Sequence, residues 1–137
     1  MSYNLLTAVT NLQTMILTIT TAIKAAPVGP PEAMNQYPFS LVYIKEFETL
    51  GGSYHWDEVI DTIIIEIHFT RQNLPAAYKA ALACRIELLE KLIADPRIGD
   101  SVDTFTDFRG VFGFMEYAEV GTIGWQMELD VKGKVTI

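Results

Sequence analysis

The residues of this chain that could carry chemistry are two histidines, one cysteine and scattered carboxylates. His68 falls on the same face of a predicted strand as Glu66, two residues away, and the other histidine is His55. A protein metal site usually needs three or four ligands from histidine, cysteine or carboxylate side chains. The spacing here matches no such set. We therefore predict no metal site and expect His68 to be solvent-facing or locally hydrogen-bonded.

The remaining reactive groups are also isolated. Asp61 and Glu66 have opposite parity along the predicted strand, so they point to opposite faces and cannot form an acid–base pair in one cleft. Asp61 shares its face with apolar residues, which exposure at a strand end or a basic partner would explain. Cys84 lies mid-helix among alanine and leucine residues, which is typical of a buried, inert thiol, although Arg85 is adjacent. The sequence predicts neither an enzyme active site nor a cofactor.

Two pairs of glycines lie between predicted strands, Gly110 with Gly113 and Gly121 with Gly124. A phosphate-binding loop would need a following helix whose backbone N–H groups meet the anion, and the sequence predicts none there. We interpret these residues as turn glycines. Only Arg109 is close to the neighbouring aromatic residues, so packing is favoured over base stacking for them.

Length and charge limit the classes of function. The chain has 137 residues, half of them hydrophobic, and a net charge of −7 from 10 Lys and Arg against 17 Asp and Glu. This length predicts one domain, residues 1–137, and the hydrophobic surplus favours subunit interfaces as well as a core. The acidic balance argues against specific binding of nucleic acid, whose phosphates it repels. The lone cysteine gives no internal disulfide, and no segment predicts a membrane span.

The N-terminal part of the chain is predicted to be a helix and a linker. Residues 1–25 carry apolar side chains at steps of three and four, which predicts a helix with Ser2 as its N-cap. Four prolines and a glycine in residues 26–38 prevent regular structure, so this segment is predicted to be an extended linker.

The middle of the chain, from residue 39, alternates strands and a helix. We predict a short strand at residues 39–45, a flexible loop or arm at 46–57 and a long strand at 58–70. A helix then runs to Ala94, with Asn73 as its N-cap and a proline in its first turn. Its inward stripe is predicted to be Leu82, Ile86, Leu89 and Ile93, widened by Tyr78, Ala81, Leu88 and Leu92.

The C-terminal part reads as a β-meander that continues to residue 137. We predict strands at residues 101–108 and 111–119, a turn at Arg109–Gly110 and a further turn at Gly121. From Thr122 the residues alternate, with inward positions at Ile123, Trp125, Met127, Leu129 and Val131. The fold class is therefore predicted to be α+β, with a single sheet, antiparallel or mixed, and two helices packed on one face.

Aromatic and methionine residues outside the periodic segments are candidates for a subunit interface, since such residues often anchor interfaces. An alternative is that the linker folds back over the sheet edge. The candidate interface residues are Phe47, Leu50, Tyr54, Trp56, Met34 and Tyr37.

Four segments carry a resemblance to a known family. They are GPPEAMNQYPFSLVY, HWDEVIDTIIIEIHFTRQNLPAAYKA, LLEKLIADPRIGDSVDTF and FMEYAEVGTIGWQMELDV, together with the N-terminal helix before them. In order and composition the chain resembles the tail terminator (tail-completion) proteins of long-tailed bacteriophages. The resemblance covers nearly the whole chain.

The resemblance implies a structural protein of the virion and not an enzyme. Such a subunit forms a homo-oligomeric ring, typically a hexamer, at the head-proximal end of the tail tube, where it ends tail polymerisation and joins the tail to the head connector. The implied partners are further copies of the chain, the tail tube protein and the head–tail connector protein, while DNA passes through without specific binding. The implied location is the tail or neck of the virion, and the host cytoplasm during assembly.

Two alternatives stay open at the level of sequence. Another neck or connector protein, such as a stopper or adaptor, would share these features. A small-ligand-binding α+β domain would instead need a concave pocket lined by converging polar groups.

Overall fold

Two helices and four strands make up the part of the chain that the computed structural model describes, which is residues 3–19, 23–24, 26, 36–50 and 56–136. In chain order they are α1 (Leu5–Leu17), β1 (Phe39–Leu50), β2 (Trp56–Phe69), α2 (Leu74–Ala94), β3 (Thr104–Tyr117) and β4 (Val120–Thr136). The predicted linker, residues 26–38, lies largely outside the described residues.

The four strands form one antiparallel sheet in the order β1-β2-β4-β3. All 14 residues of β2 pair with β4, from Trp56 opposite Thr136 to Phe69 opposite Ile123. The last strand in sequence is therefore central, while β1 and β3 are the edges. This confirms the α+β class with an antiparallel sheet.

The core lies between one face of the sheet and the two helices, as the sequence predicted. α1 packs on β1 and α2 packs on β4. Leu12 and Ile16 of α1 are fully buried, as are Ile63, Ile65 and Ile67 of β2. The alternation predicted for β4 is confirmed, since its five inward residues are all buried: Ile123, Trp125, Met127, Leu129 and Val131.

α1 is shorter than predicted at both ends. Its N-cap is Asn4, whose side-chain oxygen accepts a hydrogen bond from the backbone N–H of Thr7 at 3.0 Å, so the prediction of Ser2 was wrong. The helix ends at Leu17, where the hydroxyl of Thr18 donates to the carbonyl of Met15 at 2.7 Å. The threonines that follow are β-branched and favour helices weakly, which explains the early end.

α2 has the predicted ends but buries a different stripe. Asn73 is its N-cap, Pro75 lies in the first turn and the helix ends at Ala94. The main predicted stripe was wrong, since Leu82, Ile86, Leu89 and Ile93 are exposed, as is Tyr78. The three other residues predicted to face inward, Ala81, Leu88 and Leu92, are buried, together with Ala77 and Cys84.

The physical reason for this difference is the size of the side chains that meet the sheet. The indole Nε1 of Trp125 on β4 donates to the backbone carbonyl of Ala81 at 2.8 Å. So large a residue on the sheet, in contact with the backbone of the helix, leaves space only for small side chains around Ala81, where Ala77 and Cys84 are the buried neighbours. The bulkier apolar stripe is thereby turned outward.

Residues that were predicted to form an arm and a turn lie within strands in the structure. β1 continues to Leu50, so part of the predicted arm belongs to the sheet, and residues 51–55 are outside the described part. β3 runs without interruption through Arg109 and Gly110. A Cβ at Gly110 would lie 2.9 Å from the carbonyl oxygen of Gln126, so this glycine permits close strand packing and not a turn.

The turn between β3 and β4 is at Ala118–Glu119 and not at the predicted Gly121, which is a residue of β4. Ala118 and Glu119 have φ angles of 50° and 67°, and Tyr117 pairs with Val120 across them. Two central residues with positive φ are the mark of a type I′ hairpin turn, for which Asn-Gly is the preferred sequence.

We therefore expect the double substitution Ala118→Asn, Glu119→Gly to stabilise the protein. The left-handed conformation costs an ordinary L-residue about 1–2 kcal/mol, and Asn and Gly lower that cost. The free energy of unfolding from urea denaturation should rise by about 1 kcal/mol. Ala83→Gly, at an exposed position inside α2, is the control and should destabilise by about 1 kcal/mol. A loss of stability in the double variant would contradict the assigned turn.

Candidate assembly surfaces and a buried polar network

A hydrogen-bonded network surrounds His68, on the face of the sheet opposite to the helices. The imidazole is fully buried, with Nδ1 2.6 Å from Oγ1 of Thr122 and Nε2 2.7 Å from Oε1 of Glu66. The other carboxylate oxygen of Glu66 accepts a hydrogen bond from the hydroxyl of Tyr43. The network thus joins β1, β2 and β4. Of the two environments expected for His68, local hydrogen bonding is the correct one.

Aromatic rings close this network from solvent. Phe39 stacks on the imidazole of His68 with ring centroids 4.7 Å apart, and Tyr117 of β3 meets the imidazole edge-on at 5.9 Å. Tyr37 in turn contacts Phe39 edge-on at 5.2 Å. Tyr37, a predicted interface residue, is therefore partly buried as a cover of this cluster.

The network favours the carboxylate form of Glu66. The hydrogen bond from His68 lowers the pKa of Glu66, and the hydrogen bond from Tyr43 acts in the same direction against the effect of burial. Burial and the contact with Glu66 raise the pKa of Tyr43, and burial also raises the pKa of Tyr117. The hydroxyl of Tyr117 is buried without a hydrogen-bond partner among the described residues.

The order Thr122–His68–Glu66 is that of a hydroxyl nucleophile, a base and an acid. Thr122 and His68 are both fully buried, so a substrate cannot reach the threonine hydroxyl in this arrangement. The geometry is instead suited to fixing three strands relative to one another. Among the described residues, no group of three or more His, Cys, Asp or Glu side chains is placed to hold a metal ion.

The other two titratable residues singled out in the sequence, Asp61 and Cys84, have surroundings typical of structural residues. Asp61 is buried, so strand-end exposure does not explain its position, and its partner among the described residues is the hydroxyl of Tyr3, which donates a hydrogen bond to the carboxylate, and not a basic group. Cys84 is fully buried between α2 and the sheet. Burial and the nearby charge of Glu87 raise the pKa of the Cys84 thiol to about 12.

A shallow depression of about 420 Å³ lies on the open face of the sheet, between Tyr43, Lys45, Arg109 and Glu128. Its charged groups pair with one another. Lys45 Nζ is 2.8 Å from Glu128, and Arg109 lies 3.1 Å from Asp130, 2.7 Å from Asp107 and 3.5 Å from Glu128. A site for a charged ligand would need groups that converge on the ligand, so this depression is a weak candidate for one.

The β1 edge of the molecule exposes apolar side chains on the helix side. We call this surface the β1 flank and define it by Ile44 and Phe47 of β1 with Leu6 and Leu17 of α1. Phe47 and Leu6 are each 70% exposed. Phe47 lies opposite Asp61 in the register, which places it on the same face of the sheet as the core.

The opposite edge exposes a larger apolar surface on the same side of the sheet. We call it the β3 flank: it consists of Phe108, Phe112 and Phe114 of β3 and the outer stripe of α2, Tyr78, Leu82, Ile86, Leu89 and Ile93. Phe114 is 66% and Ile93 65% exposed. The rings of Tyr78 and Phe112, 5.6 Å apart, join the helix to the strand edge.

Of the six predicted interface residues, the structure tests few directly. Phe47 is exposed on the β1 flank, whereas Tyr37 belongs to the cover of His68. Leu50 and Trp56 lie in β1 and β2 with side chains outside the described part, and Met34 and Tyr54 are outside it altogether. The sequence reasoning missed the stripe on α2, although a helix with two apolar stripes has more hydrophobic surface than one sheet contact requires.

Comparison with protein families and with curated protein sequences found no match. No protein-family model matches the chain, and no curated protein sequence matches it. Neither described helix is long and apolar enough to cross a membrane.

The hydrogen bonds of Glu66 predict a pH-dependent contribution to stability. Since folding lowers the pKa of Glu66, its carboxylate stabilises the folded state above the usual glutamate range, and this contribution is lost as the pH falls through the lowered pKa. Glu66→Gln should lower the free energy of unfolding at pH 7 by about 1–3 kcal/mol. The difference from the wild type should narrow towards pH 3.

The matched control is Glu58→Gln, on the same strand and face. Glu58 forms a partly exposed ion pair with Lys132 at 3.1 Å, so its replacement should cost about 0–1 kcal/mol. Urea denaturation of both variants at pH 7 and at lower pH provides the measurement. An equal loss in the two variants, or a loss at Glu66 that does not change with pH, would show that the network does not act as described.

The burial of Cys84 predicts an inert thiol in the folded protein. A thiol-specific reagent such as DTNB at pH 8 should react with Cys84 only as fast as the protein unfolds, since the folded thiol is both inaccessible and protonated. Leu82→Cys in a Cys84→Ala background is the control, because position 82 is exposed on the same helix. Comparable rates for the two thiols in native protein would contradict the packing of α2.

Proposed function

We propose that this protein is a structural subunit of a bacteriophage tail that assembles into a ring, in the manner of the tail terminator proteins that the sequence resembles. In this role it would close the head-proximal end of the tail tube and join it to the head connector. The observation that carries the proposal is the pair of apolar flanks at the two opposite edges of the sheet.

The strand directions suit the joining of one copy to the next. Within the described residues β1 and β3 each pair on one side only, so each leaves a row of backbone N–H and C=O groups available to another strand. The sheet alternates in direction throughout, so β3 runs opposite to β1. A β3 edge placed beside the β1 edge of a second copy would therefore continue the antiparallel pattern.

The flanks suit the same junction. Both lie on the helix side of the sheet, so joining β3 to a second β1 places the β3 flank of one copy beside the β1 flank of the next. The two surfaces differ, and contacts between two different surfaces of identical subunits produce closed rings when the rotation permits. The composition of the chain, which is half hydrophobic and one fifth charged, is consistent with such contacts.

The open face would then line the inside of the ring, with the helices outside. It carries charged side chains from all four strands, and acidic groups outnumber basic ones: Glu46, Glu48, Glu58, Glu66, Asp107, Glu128 and Asp130 against Lys45, Arg109, Lys132 and Lys134. An acidic wall repels the phosphates of DNA. DNA could thus pass through the ring without binding to it.

The same flanks would serve another protein of the neck, such as a stopper or adaptor, so this remains the second candidate. Position in the particle separates the two. Antibody labelling of virions, viewed by electron microscopy, should place a terminator at the junction between tail tube and connector. Labelling within the connector itself would favour the second candidate.

Assembly through the flanks can be tested on the purified protein. Size-exclusion chromatography with light scattering at micromolar concentrations should show a closed oligomer, a hexamer by the family resemblance. Phe47→Gln and Phe114→Gln should each weaken assembly about tenfold or more, because truncating a central aromatic contact costs about 1–3 kcal/mol.

Val120→Gln is the control for this experiment. Val120 is also an exposed hydrophobic residue, but it lies beside the β3–β4 turn and outside both flanks. It should assemble as the wild type does. A monomer at every concentration, or equal effects from all three variants, would count against the proposal.

A further inference from the structure

The outer stripe of α2, part of the β3 flank, is an apolar surface that the described fold leaves uncovered. Ile86 is 51% and Ile93 65% exposed, and Leu82 and Leu89 continue the stripe at helical spacing. Of the charged residues of the helix, Glu87 and Lys91 lie away from the stripe, whereas Lys79 and Glu90 border it on the side turned from the β3 edge. Arg85 is charged and borders the stripe, but its guanidinium lies over the ring of Trp125, 5.7 Å from its centroid.

The outer side of α1 has a matching composition. The helix contains no charged residue, and Leu6 and Leu17 are its exposed leucines. Thr10 and Thr14 are exposed between them, but their hydroxyls donate to the backbone carbonyls of Leu6 and Thr10 at 2.9 and 3.1 Å. Because these hydroxyls are already satisfied within the helix, covering this surface with a partner would leave few polar groups unpaired.

The two outer sides face in opposite directions within one molecule. α1 turns Asn11 towards the chain that follows α2, where Nδ2 donates to the carbonyl of Ile98 at 3.0 Å. Leu6 and Leu17 therefore point away from α2, over the β1 edge. On α2, the contact of Tyr78 with Phe112 shows that the outer stripe borders the β3 edge. One chain cannot bring the two surfaces together, whereas two adjacent copies can.

The spacing of the sheet fits this contact. α2 lies over β4 and α1 lies over β1, so in a sheet continued from β3 to the next β1 the two helices are two strand intervals apart. Two intervals amount to about 10 Å, close to the distance of about 8–10 Å at which packed helices lie. Leu6 to Leu17 and Leu82 to Ile93 also cover equal lengths of helix, about 16 Å.

We propose that the outer stripe of α2 packs against the outer side of α1 in a second copy of this chain. This contact rests on the ring arrangement proposed above and specifies its helical layer: each subunit offers α2 to one neighbour and α1 to the other. The occupant is a second copy because composition, position and spacing agree on both sides. If a helix of another protein covered the stripe, there would be no reason for α1 of this chain to match the stripe in composition, position and spacing.

Cross-linking between defined positions tests the contact. In a Cys84→Ala background, the double variant Leu17→Cys, Ile86→Cys is treated with a short bismaleimide under assembling conditions. It should give a ladder of covalent oligomers, because each copy joins the next. The single variants, Leu17→Cys alone and Ile86→Cys alone, should not be linked to themselves.

The control places the second cysteine on the side of α2 that is turned from the β3 edge. Ala83 is exposed there, so Leu17→Cys with Ala83→Cys should give little product. Ile86→Gln should also raise the protein concentration needed for assembly about tenfold, while Ala83→Gln should not.

The outcomes separate this contact from the ring itself. Rings that form normally but yield no ladder, or an equal ladder from the Ala83 control, overturn the helix contact and leave the proposed function standing. Linking of Ile86→Cys to itself would indicate a symmetric α2–α2 dimer and would also overturn it. A chain that stays monomeric overturns both proposals.

Discussion

The pairing of β2 with β4 is the constraint on which the rest of this structure depends. It spans the whole of β2 and places that strand in the middle of the sheet, where Ile63, Ile65 and Ile67 are buried under the helices while His68 is buried on the opposite face. With the centre fixed in this way, β1 and β3 must be the edges. The helices then share one face, and the apolar surfaces that they leave uncovered fall on opposite flanks.

The two faces of the sheet are stabilised by different interactions. The helix side is closed by apolar packing, and its small residues at Ala77, Ala81 and Cys84 let α2 approach the sheet. The open side has no described helix above it, so its strands are held by polar contacts, foremost those of Glu66 and His68, and by exposed ion pairs. Exposed ion pairs contribute little to the free energy of unfolding, whereas each hydrogen bond of the buried network contributes more.

Sequence reasoning reached the fold class, both ends of α2 and the alternation of β4 because each has a local cause: a cap, a proline, or a strict period of two. The sequence predictions were wrong where the local pattern was compatible with two different structures. α2 carries two apolar stripes, and only Trp125 on a distant strand decides that the one with small residues faces inward. Gly110 was equally compatible with a turn and with close strand packing. The surroundings of His68 come from four strands, which no local pattern could reveal.

The strand order also has a consequence for how the chain acquires its structure. β4 is synthesised after the other three described strands, yet it lies between β2 and β3. Until it is available, β2 has β1 as its only neighbour and β3 has none, and the core beneath α2 lacks Trp125, Met127 and Leu129. Nascent chains would therefore expose the apolar side chains and the unpaired edge of β2. Folding is completed only by the pairing of β2 with β4, which is long-range in sequence and therefore intrinsically slow. During that interval the unpaired edge of β2 and the uncovered core are the surfaces through which nascent chains would aggregate.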